Sequence, residues 1–119
     1  RFANIYGPGQ MNFSAIVPDG IRSALGYSNF IPRSDGSMVR DFIFCEDVAD
    51  LYMRIAEKTS QDNDKIRGEV FNAGSNHPID IKSLLIKIFT QIGNNSALDS
   101  ILKQMKGKKT SGEIQYQHM

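Results

Sequence analysis

SDGSMVRDFIFCEDVADLY, residues 34–52, passes from a turn to an extended run to a helix without a break. Ser34, Asp35, Gly36 and Ser37 are turn formers, and Gly36 supplies a positive φ if the turn needs one. Residues 38–44 are mostly apolar or aromatic and predict a strand. Glu46 and Asp47 then place two carboxylates where a helix N-terminus is positive. Val48, Leu51, Tyr52, Ile55 and Ala56 follow at helical spacing, so this helix has one apolar face. A strand feeding straight into an amphipathic helix is the unit of an α/β fold.

The rest of the chain extends that pattern. Residues 29–33 predict a second strand, forming a hairpin with 38–44 across the 34–37 turn. Upstream, Ser14 is a suitable N-cap for a helix whose face is Ile16, Val17, Ile21, Ala24 and Leu25. Pro18 fits near its first turn and Gly26 near its end. Residues 1–5 read as the end of a strand, followed by the loop YGPGQ at 6–10. Downstream, 59–68 is a polar connector and 69–72 (EVFN) a short strand. Asp80 caps a periodic helix of Ile81, Leu84, Leu85, Ile88, Phe89 and Ile92 that stops at Gly93. A weaker helix covers 97–105 and a last strand 113–116. The order is β-α-β-β-α-β-α-α-β, with no internal repeat.

Composition sets bounds on function. The chain has 119 residues, enough for one small domain. It carries 14 basic and 13 acidic residues, so its net charge of +1 points to neither nucleic acid nor an anionic membrane as partner. No apolar run reaches the roughly 18 residues of a membrane span. Cys45 is the single cysteine, which excludes an internal disulfide and fits a reducing cytoplasm. His77 and His118 have no Cys or His at metal-ligand spacing, and no metal site is expected. The chain starts at Arg1 and stops within a strand-like segment; both features suggest an interior fragment.

Candidate chemistry lies in three polar loops, each expected to follow a strand: residues 4–9, residues 33–36 with Arg40 and Asp41 beyond, and residues 72–76. Ligands of α/β proteins collect at strand ends, where glycines let backbone amides approach an anion. Arg40 is the one arginine in an otherwise apolar run. Its partner is either Asp41 or another carboxylate, or the anion of a ligand. Cys45 stands at a helix N-terminus but reads as a small buried apolar residue. No G-x-G-x-x-G lies between strand and helix, and no nucleophile elbow is present.

Taken in order, RFANIYGPG, NFSAIVPDGIRSAL, SDGSMVRDFIFCEDVADLY and GEVFNAGSNHPIDIKSLLIKI resemble the extended short-chain dehydrogenase/reductase family. The likeness is to its nucleotide-sugar 4,6-dehydratases and 4-epimerases and covers residues 1–95. Gly36, Arg40, Asp41, Phe42 and Asp47 keep the family pattern G-x-x-x-R-D-[FY]-[IV]-[FY]-V-x-D, and Cys45 departs from it at the valine. The family's glycine-rich loop, catalytic Ser/Thr and Y-x-x-x-K pair have no counterpart here. The resemblance therefore implies a Rossmann-type fragment truncated at both ends. Residues 1–5 would join a parallel sheet, the remainder would form a small mixed α/β substrate-binding lobe, and the first helix and strands would leave apolar surface bare.

The resemblance also implies roles. Asn4 would contact the sugar diphosphate, and Phe2 and Ala3 would lie beside the nicotinamide of NAD, a cofactor bound mainly by another part of the enzyme. Asn12, Phe13, Ser14 and Val17 would help hold the nucleotide. Pro32, Arg33 and Ser34 would lie near the base. Arg40 would grip the diphosphate, Asn72 would lie near the same pocket, and Glu113 near the ribose. No catalytic residue is expected in this chain. The implied function is nucleotide-sugar binding within a cytoplasmic, homodimeric NAD-dependent 4,6-dehydratase or 4-epimerase. The alternatives are a non-catalytic nucleotide-binding module and a related decarboxylase or reductase.

Overall fold

The computed structural model describes residues 1–61 and 63–108, leaving the expected strand at 113–116 and Glu113 outside the described residues. The described chain runs β1 (Asn4–Tyr6), α1 (Ile16–Ala24), β2 (Val39–Arg40), β3 (Phe42–Phe44), α2 (Cys45–Gln61), α3 (Asn63–Ile66), β4 (Ile79–Asp80), α4 (Ile81–Ile92) and α5 (Asn95–Lys106). The elements group into two compact units. One comprises Arg1–Gln10 and Asp41–Pro78; the other comprises 11–40 and 79–108 of the described residues.

The first unit is a small parallel sheet with α2 packed on β1 and β3. β1 and β3 pair in parallel, with Asn4 opposite Phe42, Ile5 opposite Ile43 and Tyr6 opposite Phe44. Phe2 forms a parallel bridge with Ala73 on the other side. The Ala3 amide donates to the Ala73 carbonyl at 2.8 Å, and the Ala73 amide to the Arg1 carbonyl at 2.7 Å. The sheet thus gathers three parallel segments, where the sequence placed only residues 1–5 in such a sheet. Phe2 stacks on Tyr52 and Tyr6 on Phe44, with ring centroids 5.3 and 5.4 Å apart. Ile43 and Val48 are buried, whereas Ile5, Val70 and Phe71 are exposed. Apolar surface left bare on β1 agrees with the expectation for this sheet.

The second unit is helical, with α1 and α5 packed on α4. Leu85 and Phe89 are fully buried, one turn apart on α4. Ala24, Leu98, Ile101 and Met105 complete the core around them. A Cβ on Gly20 would come within 3.3 Å of both Leu85 and Ile88, so this glycine brings α1 close to α4. Asp80 caps α4 as expected, accepting from the Ser83 amide at 2.9 Å, and Gly93 ends it at φ 94°. Asn94 then caps α5, and its side-chain NH₂ donates to the Ala24 carbonyl at 3.0 Å, joining the end of α1 to the start of α5.

Four sequence expectations are corrected. Residues 29–33 are not a strand. Pro32 is fully buried and has no N–H to donate, and the Phe30 amide goes to the Ser23 hydroxyl at 3.0 Å. No hairpin joins 29–33 to 38–44; that run breaks at Asp41 into β2 and β3 in different sheets. β2 pairs antiparallel with β4, a strand the sequence reading missed, Val39 facing Asp80 and Arg40 facing Ile79. Residues 69–72 form no strand, since the pairing falls one residue later, on Ala73. Ser14 is not the N-cap of α1. That position belongs to Ala15, with no side-chain bond, while the Ser14 hydroxyl donates to Asn12 Oδ1 at 2.7 Å. Asn12 offers a competing local turn, and the helix starts one residue later than a cap at Ser14 predicts. Among the described residues no helix is long and apolar enough to cross a membrane.

Candidate functional site

An open cleft of about 450 Å³ in the helical unit is lined by Ser14, Ile16, Asp19, Asn29, Phe30, Ile31, Arg33, Ser34 and Ile81. Asn12 does not line it but accepts from both the amide and the hydroxyl of the lining Ser14. Pro32 is buried between two exposed lining residues, Ile31 and Arg33. Ser34 accepts from the Gly36 amide at 3.2 Å, closing the turn behind Arg33. Gly36 has φ 79°, the positive value anticipated for this turn, and its carbonyl accepts from the Lys82 amide at 2.9 Å. A Cβ there would lie 2.8 Å from the Lys82 Cβ. The 33–36 loop is thus fixed to the first turn of α4. It precedes β2, where the sequence reading has it follow a strand.

Of the residues named from the sequence, the cleft brings together Ser14 and Arg33, with Ser34. It adds Asp19, Asn29 and Phe30, which sequence reasoning left aside. Asp19 was visible only as an acid in a helix's first turn. Phe13 and Val17 do not line it. The Phe13 ring instead lies under the Arg22 guanidinium, 4.5 Å from centroid to carbon. Arg40 sits on β2, half-buried. Its guanidinium donates to the Val39 carbonyl at 3.0 Å and to the Met38 sulfur at 2.7 Å. Among the described residues of its own unit, no carboxylate pairs with it.

In the sheet unit, Asn4 is exposed on β1 and Asn72 is exposed just before the Ala73 bridge. The register sets Asn72 level with Arg1, about 10 Å along the strand from Asn4 at roughly 3.3 Å per residue. The two asparagines are therefore not brought together. A second concavity of about 350 Å³ is formed by residues 5–10 and Cys45. Gly7 packs so closely on the Cys45 sulfur that a Cβ at Gly7 would overlap it, which accounts for the first glycine of YGPG. Cys45 is half-buried, not the fully buried residue the sequence suggests, and its sulfur packs on Gly7.

NAD binding requires a glycine-rich turn from strand to helix. Here β3 ends at Phe44 and α2 begins at Cys45, leaving no such turn. Phe2 is stacked on Tyr52 and Ala3 is paired through its backbone with Ala73, so neither presents a free polar group. The described residues do not by themselves fit a dinucleotide. Among them no group of three His, Cys, Asp or Glu could hold a metal ion.

Residues 1–74 match the NAD dependent epimerase/dehydratase family. The chain is also 30% identical, over 92 residues, to a trifunctional UDP-glucose 4,6-dehydratase/UDP-4-keto-6-deoxy-D-glucose 3,5-epimerase/UDP-4-keto-L-rhamnose-reductase of Arabidopsis thaliana. That match covers 75% of this chain and 13% of the plant protein, so the chain spans a small part of its relative's length. No solved structure gives a significant match. The family match and the R-x-x-N-x-Y-G-P-G and G-x-x-x-R-D motifs agree, and the chain belongs to the NAD dependent epimerase/dehydratase family.

Proposed function

We propose that this chain supplies nucleotide-sugar binding to an NAD-dependent nucleotide-sugar 4,6-dehydratase or 4-epimerase whose proton- and hydride-transfer groups lie elsewhere in a longer protein. The observation that carries the reading is the cleft uniting Ser14, Phe30, Ile31, Arg33 and Ser34. Its volume lies in the range of small-molecule sites, roughly 300–1,000 Å³. Phe30 and Ile31 offer an apolar wall to a base, and Ser14 and Ser34 offer hydroxyls. Arg33 adds a guanidinium, which can stack on a ring or meet phosphate oxygens. Arg40 supports the reading from another position. A half-buried guanidinium with no carboxylate partner in its unit suits a diphosphate, which accepts two parallel N–H bonds.

The relative's printed 4,6-dehydratase activity favours the dehydratase member of the pair. NAD, when bound, would supply the hydride acceptor. Phe2 and Ala3 would lie near its nicotinamide as packing residues. This chain's part is to hold the remote nucleotide diphosphate and so fix the sugar.

Calorimetric titration with UDP-glucose tests the assignment. Arg40→Ala and Arg33→Ala should each weaken binding by about 1–3 kcal/mol, the scale of a charge-assisted hydrogen bond. Thermal unfolding should stay unchanged, and in the longer enzyme NAD affinity should not move with Arg40→Ala. Unchanged UDP-glucose affinity in both variants would remove the two arginines from the site. Loss of stability in step with affinity would return Arg40 to a structural role.

A further inference from the structure

In the sheet unit a loop is built around one carboxylate. The Ser75 amide donates to Asp41 Oδ2 at 3.0 Å and to Oδ1 at 3.3 Å, and the Ser75 hydroxyl donates to Oδ1. That hydroxyl in turn accepts from the His77 amide at 3.1 Å. Gly74 leaves the space that Asp41 Oδ2 occupies, since a Cβ there would overlap the oxygen. Asn76 bends the loop at φ 60°, a left-handed value that asparagine tolerates better than most residues. The Asp41 backbone carbonyl accepts from the Asn4 amide at 3.1 Å. Among the described residues of this unit no cation neutralises Asp41. The amide and hydroxyl of Ser75 both point at it, as such donors would at a bound anion.

We propose that Asp41 is a positioning residue that acts as a built-in anion. Its carboxylate moulds residues 74–77, while its carbonyl holds Asn4. With the side chain removed, the same donors take up a free small carboxylate in its place. The sequence reading gave Asp41 no role beyond a place in the family motif and a possible pairing with Arg40. Its bearing on ligand binding rests on the nucleotide-sugar reading above; its hold on the loop does not.

The test is residue-resolved amide exchange of the chain and its Asp41→Ala variant, in sodium formate and in sodium chloride of equal ionic strength. Exchange at Ser75 and His77 should rise at least tenfold in the variant, with Leu85 and Phe89 unchanged. Formate should restore most of the protection and chloride none. Unaltered exchange at Ser75, or exchange that formate does not slow, would overturn the proposal. If Asp41→Ala unfolds the chain, Asp41→Asn decides. It keeps the shape and one acceptor oxygen, so it should lose part of the Ser75 protection, and full protection would contradict the built-in anion. UDP-glucose affinity, measured alongside, should fall about tenfold in Asp41→Ala and return with formate. Unchanged affinity would sever the loop from ligand binding. If the wild-type chain binds no UDP-glucose, the nucleotide-sugar reading fails, and exchange at Ser75 still judges Asp41.

Discussion

Asp80 holds the start of α4 with both carboxylate oxygens, taking the Ser83 hydroxyl at 2.7 Å and the Ser83 amide at 2.9 Å. The hydroxyl bond above all, then the amide bond, lowers its pKa from the ordinary value. A depressed folded pKa means the contribution is complete above the unfolded value, about 4, and is lost as pH falls through the lower folded one. Asp80→Ala should therefore cost about 1 kcal/mol near neutral pH. The gap between wild type and variant should close toward pH 2, read from denaturant midpoints across the acid range. A gap independent of pH would show that the carboxylate's charge is not what caps the helix. This cap was legible in the sequence, because an aspartate before a periodic apolar face has one common use. Asp41 was not legible, because its partner Ser75 is 34 positions away. Ser14 was legible only as a helix cap and Arg33 only as a polar-loop residue; their nucleotide roles came from resemblance, and nothing local says that they share a cleft.

Among the elements, the helices were read well and the strands poorly, for a physical reason. A helix closes its own hydrogen bonds, so apolar spacing and caps suffice to mark α4 with its ends at Asp80 and Gly93. A strand needs a partner. β2 and β4 are two residues each, and they exist because Val39 and Arg40 meet Asp80 and Ile79. Nothing in residues 79–80 announces that pairing. The Gly36 turn was legible as a turn but not as the seat of α4, where its carbonyl receives the Lys82 amide. Gly36→Ala should cost about 2 kcal/mol or more, since it adds a left-handed strain to a contact 2.8 Å from the Lys82 Cβ. Chemical denaturation checks this, and a loss under about 0.5 kcal/mol would mean the turn relaxes freely. In the helical core, Phe89→Ala should cost about 3–5 kcal/mol through lost burial and the cavity left behind.

At the scale of the molecule, the two units differ in how much they bury. The helical unit encloses Leu85 and Phe89 fully, whereas the sheet unit buries only Ile43 and Val48 among its described apolar side chains. Local opening free energy follows buried apolar contact. Amides of α4 should therefore exchange slowest and those of β1 much faster, and equal protection in both would contradict this division. Fold class and family were legible because motifs and helix faces are local; which segments pair was not. The central claim is that this chain holds the nucleotide of a nucleotide sugar. Its most direct test is a UDP-glucose titration of the isotope-labelled chain, followed by amide and arginine side-chain NMR signals. Saturable shifts concentrated at Ser14, Arg33, Ser34 and the Arg40 guanidinium are the predicted result. Saturable shifts that avoid these residues, or no saturable shift at millimolar UDP-glucose, would contradict the account.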